Sequence, residues 1–183
     1  MSADTSKYNP YRRGADDGFL LGAYFVLLFF ALAFSMQLSV LGMLAMGMIL
    51  AVPAVVYLML ARSFRAQGGL ATFSSLWMQG IVSFFGGSLI LAVVMMVYLR
   101  WIDPSFMVDR LTEAIQVYRD IDQPRATEVA DTLQLIIDQN IVPSASDVAL
   151  EIIWAGVFTG SLLSMLIALL VRARRPKSDS PKI

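Results

Sequence analysis

Charged residues are missing from three stretches of the chain, 18–61, 66–99 and 152–171. A helix needs about 20 apolar residues to cross the hydrocarbon core of a bilayer. The first stretch is long enough for two crossings with a tight turn between them, and each of the others for one. The pattern predicts spans at 19–37, 40–61, 73–99 and 148–171. No two-residue alternation of the kind that marks a strand interrupts them. The expected fold class is therefore all-α and integral to a membrane, with four transmembrane helices in one bundle. Pro53 falls inside the second span and predicts a kink, because neighbouring helices can satisfy the carbonyl it frees.

The pattern changes between spans three and four. Asp103-Pro104 reads as a helix start, an N-cap acid with proline at the first helical position. Met107, Leu111, Ala114, Ile115, Tyr118 and Ile121 then recur at helical spacing. Asp122-Gln123-Pro124 breaks that stripe. A second one, Val129, Leu133, Ile136 and Ile137, ends near Asn140 and Pro143. An amphipathic α-hairpin is expected, with helices at 104–121 and 124–140. The segment 144–147 would cap the start of span four.

Composition agrees with a membrane chain. Of 183 residues, 57% are hydrophobic and 15% charged, where soluble domains carry about 25% charged. The formal net charge is zero, but the basic residues are unevenly placed. Lys7, Arg12 and Arg13 lie in the N-tail and Arg62 and Arg65 in the link 62–65. Arg172, Arg174, Arg175, Lys177 and Lys182 lie in the C-tail. The segment 100–147 sets Arg100, Arg110, Arg119 and Arg125 against nine acids. Basic residues near span ends mark the cytoplasmic side. The reading is a cytoplasmic N-tail at 1–17, spans one to three within 18–99, and an extracytoplasmic acidic hairpin at 100–147. Span four at 148–171 and a basic cytoplasmic C-tail at 172–183 complete it. In a bacterium this is a multi-pass protein of the inner membrane. Ala31-Leu32-Ala33 has the form of a signal cleavage site, but the mixed-charge tail and the continuing apolar run predict a retained span. Tyr98, Trp101 and Trp154 fall where aromatic side chains favour the interface. Trp77 either does the same or packs between helices.

Candidate chemistry is sparse. The chain has no cysteine and no histidine, which excludes disulfides, thiolate metal sites and the commonest general base. A serine nucleophile has no base to activate it. The span interiors are expected to hold no ionisable group. Asp16 and Asp17, with Arg12 and Arg13, read as a solvated collar at the start of span one. Arg100 and Glu151 lie at span ends, where they reach water and could pair. Gln37 and Gln79 are the amides in or near spans, and Gln79 is the candidate polar intramembrane residue, expected to bond a neighbouring helix. No catalytic, cofactor-binding or metal residue is assigned, no cofactor is expected, and nothing supports nucleic-acid binding. The chain reads as non-enzymatic; carboxylates of the hairpin leave a metal-binding membrane enzyme as a third option.

Small residues recur at helical spacing in every span. Span four carries Gly156, Gly160, Ser164 and Ala168. Span one begins with Gly14, Gly18 and Gly22, span two has Gly42, Gly47 and Ala51, and span three has Gly80, Ser83 and Gly87 on one face. Small residues let membrane helices approach closely. Their partner is either another helix of this bundle, a second copy, or another membrane protein.

Gly14-Ala15-Asp16-Asp17-Gly18 with Gly22, Ala71-Thr72-Phe73-Ser74-Ser75 with Gly80, the acidic hairpin and the basic Arg172-Ala173-Arg174-Arg175 end together resemble a bacterial family. It is domain of unknown function 4199, four-span inner-membrane proteins found mainly in the Bacteroidetes. The resemblance covers roughly residues 10–176. It implies a bacterial inner membrane and transfers no functional residue. Neighbouring glycosyltransferase genes in that family imply an accessory role in envelope glycan assembly. The functional expectation is an accessory or scaffold subunit of a membrane complex, in contact with the lipid bilayer and with a membrane protein partner or a second copy. The alternative is a small transporter or channel.

Overall fold

The computed structural model describes residues 9–35 and 38–173. Lys7, Gln37 and the C-tail from Arg174 onward lie outside them. Among the described residues the chain is all α-helical: α1 (Pro10–Ala33), α2 (Ser39–Ala66), α3 (Phe73–Val97), α4 (Phe106–Arg119), α5 (Pro124–Asp138) and α6 (Ala145–Ala173). A π-helical turn, Tyr98–Ile102, extends α3. Four helices are long and apolar enough to cross a membrane: α1, α2, α3 with its π turn, and α6. The α4–α5 hairpin lies between the third and fourth of these.

The helix ends explain where the elements depart from the apolar pattern. α1 starts at Pro10, well before 19. The Asn9 side-chain oxygen accepts the backbone N–H groups of Tyr11 (2.9 Å) and Arg12 (3.4 Å), and Pro10 occupies the first turn, where its missing N–H costs nothing. α2 runs on to Ala66, so Arg62 and Arg65 are helical and not in a link. It closes where Gly68 N–H reaches the Arg65 carbonyl and Gly69 N–H the Phe64 carbonyl, both at 3.0 Å. These are the two bonds of a Schellman stop, with Gly68 at φ 62°. α5 ends the same way at Asn140, φ 53°. α4 begins at Phe106, not 104. The N–H of Asp103 is taken by the Tyr98 carbonyl at 2.9 Å, which closes the π turn, and its carboxylate accepts the Ser105 hydroxyl at 3.0 Å. Asp103 therefore ends one helix and does not cap the next. Ser144 and Asp147 cap α6 reciprocally: the Asp147 carboxylate accepts the Ser144 N–H at 3.0 Å, and Ser144 Oγ accepts the Asp147 N–H at 3.3 Å.

The chain forms two compact units. The first holds the described residues up to Leu91 and from Ile152 onward. Its core gathers Leu21 of α1, Val56, Leu60 and Phe64 of α2, Leu76 and Phe84 of α3, and Ile167, Ala168 and Val171 of α6. The second unit runs from Ala92 to Glu151. Within it α4 and α5 pack on each other. The buried positions are Ile115, Ala126 and Ala130, while Val129, Tyr118 and Ile121 are exposed. The seam of α5 thus runs through its alanines, one place off the expected stripe, because small side chains let the two backbones approach. Tyr98 is buried and packs edge-on to Phe106, centroids 5.5 Å apart. Arg110 lies 4.9 Å above the Phe106 ring and pairs with Glu113 at 2.8 Å.

Candidate functional site

α3 is the helix around which the first unit is arranged, and glycines decide what can touch it. On one side it meets α1. A methyl group on Gly14 would stand 2.8 Å from Val82 Cβ, one on Gly18 3.1 Å from the Ser83 carbonyl, and one on Gly22 2.9 Å from Ile90 Cβ. Gly87 faces Leu21 and the Gly22 amide in return. On the other side it meets α6. Gly80 is filled by Ser164, Gly156 by Ser88 and Gly160 by the Phe84 ring. Ala168 is fully buried in the core. Every small residue singled out in spans one, three and four therefore lies against another helix of this chain. The span-three set is not one face: Ser83 and Gly87 look to α1, and Gly80 to α6.

Polar groups lie within these seams. The Gln79 amide nitrogen donates to Asp17 Oδ2 at 2.6 Å and to Ser63 Oγ at 2.8 Å, linking α3 to α1 and α2. Ser83 Oγ donates to the carbonyls of Gln79 (2.8 Å) and Gly14 (3.1 Å). Asp17, Ser63, Gln79 and Ser83 are 7%, 1%, 0% and 5% exposed. Asp17 is thus no part of a solvated collar. It lies about two turns inside a helix that starts at Pro10, a buried ionisable group within one of the four long apolar helices. Ser164 Oγ is buried with no hydrogen-bond partner.

Two further side chains tie helices together. Tyr24 of α1, which the apolar pattern does not mark, donates its hydroxyl to the Met48 carbonyl of α2 at 2.6 Å. That carbonyl adjoins the one at Ile49, which loses its helical donor because Pro53 has no N–H. Trp77 stacks on Phe73 and donates its indole N–H to the Ser161 carbonyl at 3.1 Å, so it packs between α3 and α6. Trp101 and Trp154 are exposed, and Arg100 and Glu151, also exposed, make no ion pair with each other. Among the described residues no three carboxylates converge as a metal site would need.

The Asp17–Gln79–Ser63 contacts bring the start of α1, the end of α2 and the start of α3 to one end of the first unit. Val171, near the end of α6, belongs to the same core cluster as Phe64 and Ala71. Arg12, Arg13, Arg62, Arg65 and Arg172 belong to these helix ends. By contrast α2 is little covered: 17% of its most apolar stretch is buried, against 33% for α1 and for α3. A methyl group on Gly47 would meet nothing within 4 Å.

Four long apolar helices, three of them close-packed through glycine, with outer faces in contact with lipid, define a multi-pass membrane protein. The chain belongs to the family of proteins of unknown function DUF4199, whose family model matches residues 16–173. No match was found among curated proteins or among solved structures.

Proposed function

We propose that this protein is a non-enzymatic subunit of a bacterial inner-membrane complex and that α2 is its docking helix. The uncovered face of α2 carries the reading. The glycines of α1, α3 and α6 all lie against another helix of the chain, whereas Gly42 meets only Ser35 Cβ at 3.5 Å and Gly47 meets open space. Glycine in a helix costs about 1 kcal/mol relative to alanine, and nothing within the chain uses the room at Gly47. A partner helix or a second copy would use it. The termini are cytoplasmic in this reading and the acidic hairpin is periplasmic, supported by the arginines at one end of the first unit. An accessory role in envelope glycan assembly fits such a subunit.

The experiment is purification from native membranes in mild detergent, with mass spectrometry of what co-purifies. It is paired with cross-linking through Gly47→Cys, which is clean because the chain has no cysteine. A stoichiometric partner that is lost in Gly47→Leu, or a second copy cross-linked through Gly47→Cys, supports the reading. A monomer carrying lipid alone rejects it. The second reading, a small transporter or channel, draws on the buried Asp17–Gln79–Ser63 cluster. It expects a specific flux in proteoliposomes that Gln79→Leu abolishes.

A further inference from the structure

We infer that the groove between α2 and α6 holds one acyl chain of an anionic phospholipid, with Arg65 on its phosphate. The inference rests on neither functional reading above.

Local sequence makes the groove. Pro53 and Ala54 are short side chains on α2; with Tyr57, and with Ile167 and Leu170 of α6, they line a space of about 320 Å³. Pro53, Ala54 and Leu170 are exposed, so the groove opens on the outside of the bundle, where lipid lies. Size decides the occupant. One turn of a helix about 10 Å across and about 5.4 Å long fills about 400 Å³, more than the groove holds. A hydrocarbon chain is narrower, and it suits walls that are almost wholly apolar.

Charge decides the headgroup. Among the described residues Arg12, Arg13, Arg62, Arg65 and Arg172 make no ion pair. Arg65 follows Ala54 by three turns of α2, so it returns to the same face about 16 Å further on. That is the depth of one leaflet, half of a hydrocarbon core about 30 Å thick. A phosphate held at Arg65 therefore sets the inner part of its chain at Ala54. Arg65 Nε donates to the Ala61 carbonyl at 3.3 Å, which ties the guanidinium to the turn that lies between it and Tyr57. An arginine fork matches the oxygens of a phosphate. Arg172 stands just beyond Leu170 on α6 and adds to the positive field. A zwitterionic headgroup brings these charges no net counter-charge, and an anionic one does.

The test is native mass spectrometry of the full chain in detergent, titrated with phosphatidylglycerol or with phosphatidylcholine of identical chains. One phosphatidylglycerol should bind saturably, about tenfold more tightly than phosphatidylcholine. Glycerol phosphate, which has the phosphate without the chains, should not displace it. Ala54→Trp fills the groove from an exposed position and should abolish the tight binding. Val40→Trp, exposed near the other end of α2, should keep it. Arg65→Gln should weaken phosphatidylglycerol about fivefold and leave phosphatidylcholine unchanged. As a change at an exposed helix end it keeps the test sound if Ala54→Trp fails to fold. The proposal is overturned by equal affinity for the two lipids, by full phosphatidylglycerol binding in Ala54→Trp, or by displacement with glycerol phosphate, which would mean a phosphate site independent of the groove.

Discussion

Ser164 of α6 stands where a side chain on Gly80 of α3 would have to be. The two helices meet backbone to side chain at this point, and the contact leaves Ser164 Oγ enclosed without a partner. Two opposite outcomes follow. Gly80→Ala overpacks the seam and should destabilise the protein by about 1–3 kcal/mol. Ser164→Ala removes a buried orphan hydroxyl and keeps the Cβ that fills the gap, so stability should stay level or rise by about 1 kcal/mol. Denaturation in SDS titrations of both variants checks this. Equal losses would mean that the hydroxyl has a partner.

Gly160 and Gly47 separate folding from assembly. The Phe84 ring fills the space at Gly160, so Gly160→Leu should unfold the first unit or cost at least about 3 kcal/mol. The cost should be the same in a monomer and in a complex. A Cβ on Gly47 meets nothing within 4 Å, so Gly47→Leu should not destabilise the isolated protein and should raise its stability by up to about 1 kcal/mol through helix propensity. Size-exclusion chromatography with thermal unfolding distinguishes the two. A folded, fully stable Gly160→Leu protein would refute the close approach of α6 to α3.

The Gln79–Asp17 bond predicts a strong asymmetry between single and double variants. Gln79→Leu leaves a buried carboxylate without its amide donor and should cost about 3 kcal/mol or more. Asp17→Asn keeps an amide pair and should cost less. Asp17→Ala combined with Gln79→Leu removes both halves and should be more stable than Gln79→Leu alone. Additive losses in that cycle would show that the two side chains are not coupled.

The four spans were legible because hydropathy over 20 residues is a strong signal, and the hairpin because its stripes are bounded by proline. The candidate site was half legible. Gln79 stands out as an amide among apolar residues, but Asp17 precedes the uncharged stretch that begins at Gly18, and a carboxylate there reads as solvated. Asn9-Pro10 held the missing information, an N-cap followed by proline, which starts the helix two turns earlier and carries Asp17 inside. Ser63 gave no sign, since a serine beside Arg62 reads as the end of a span. Small-residue spacing marks positions of close approach without saying which helix faces which. That choice is tertiary, as the division of Gly80 from Ser83 and Gly87 shows.

Tyr24 supplies the last prediction. Its hydroxyl reaches the Met48 carbonyl of α2 at 2.6 Å, next to the carbonyl that Pro53 leaves without a helical donor. The bond fixes α1 to the weakened turn of α2, whose other holds, Val56, Leu60, Ser63 and Phe64, lie nearer its C-terminal end. Tyr24→Phe keeps the ring and removes the bond, so it should cost about 1 kcal/mol. The loss should be local: amide exchange should quicken in the α2 turns around Pro53 and stay unchanged in α3 and α6. Pro53→Ala restores the N–H and should slow exchange at the same turns, with a gain of up to about 3 kcal/mol. If Tyr24→Phe leaves exchange in α2 untouched, the hydroxyl contributes nothing to that helix and its hold on α1 comes from packing alone.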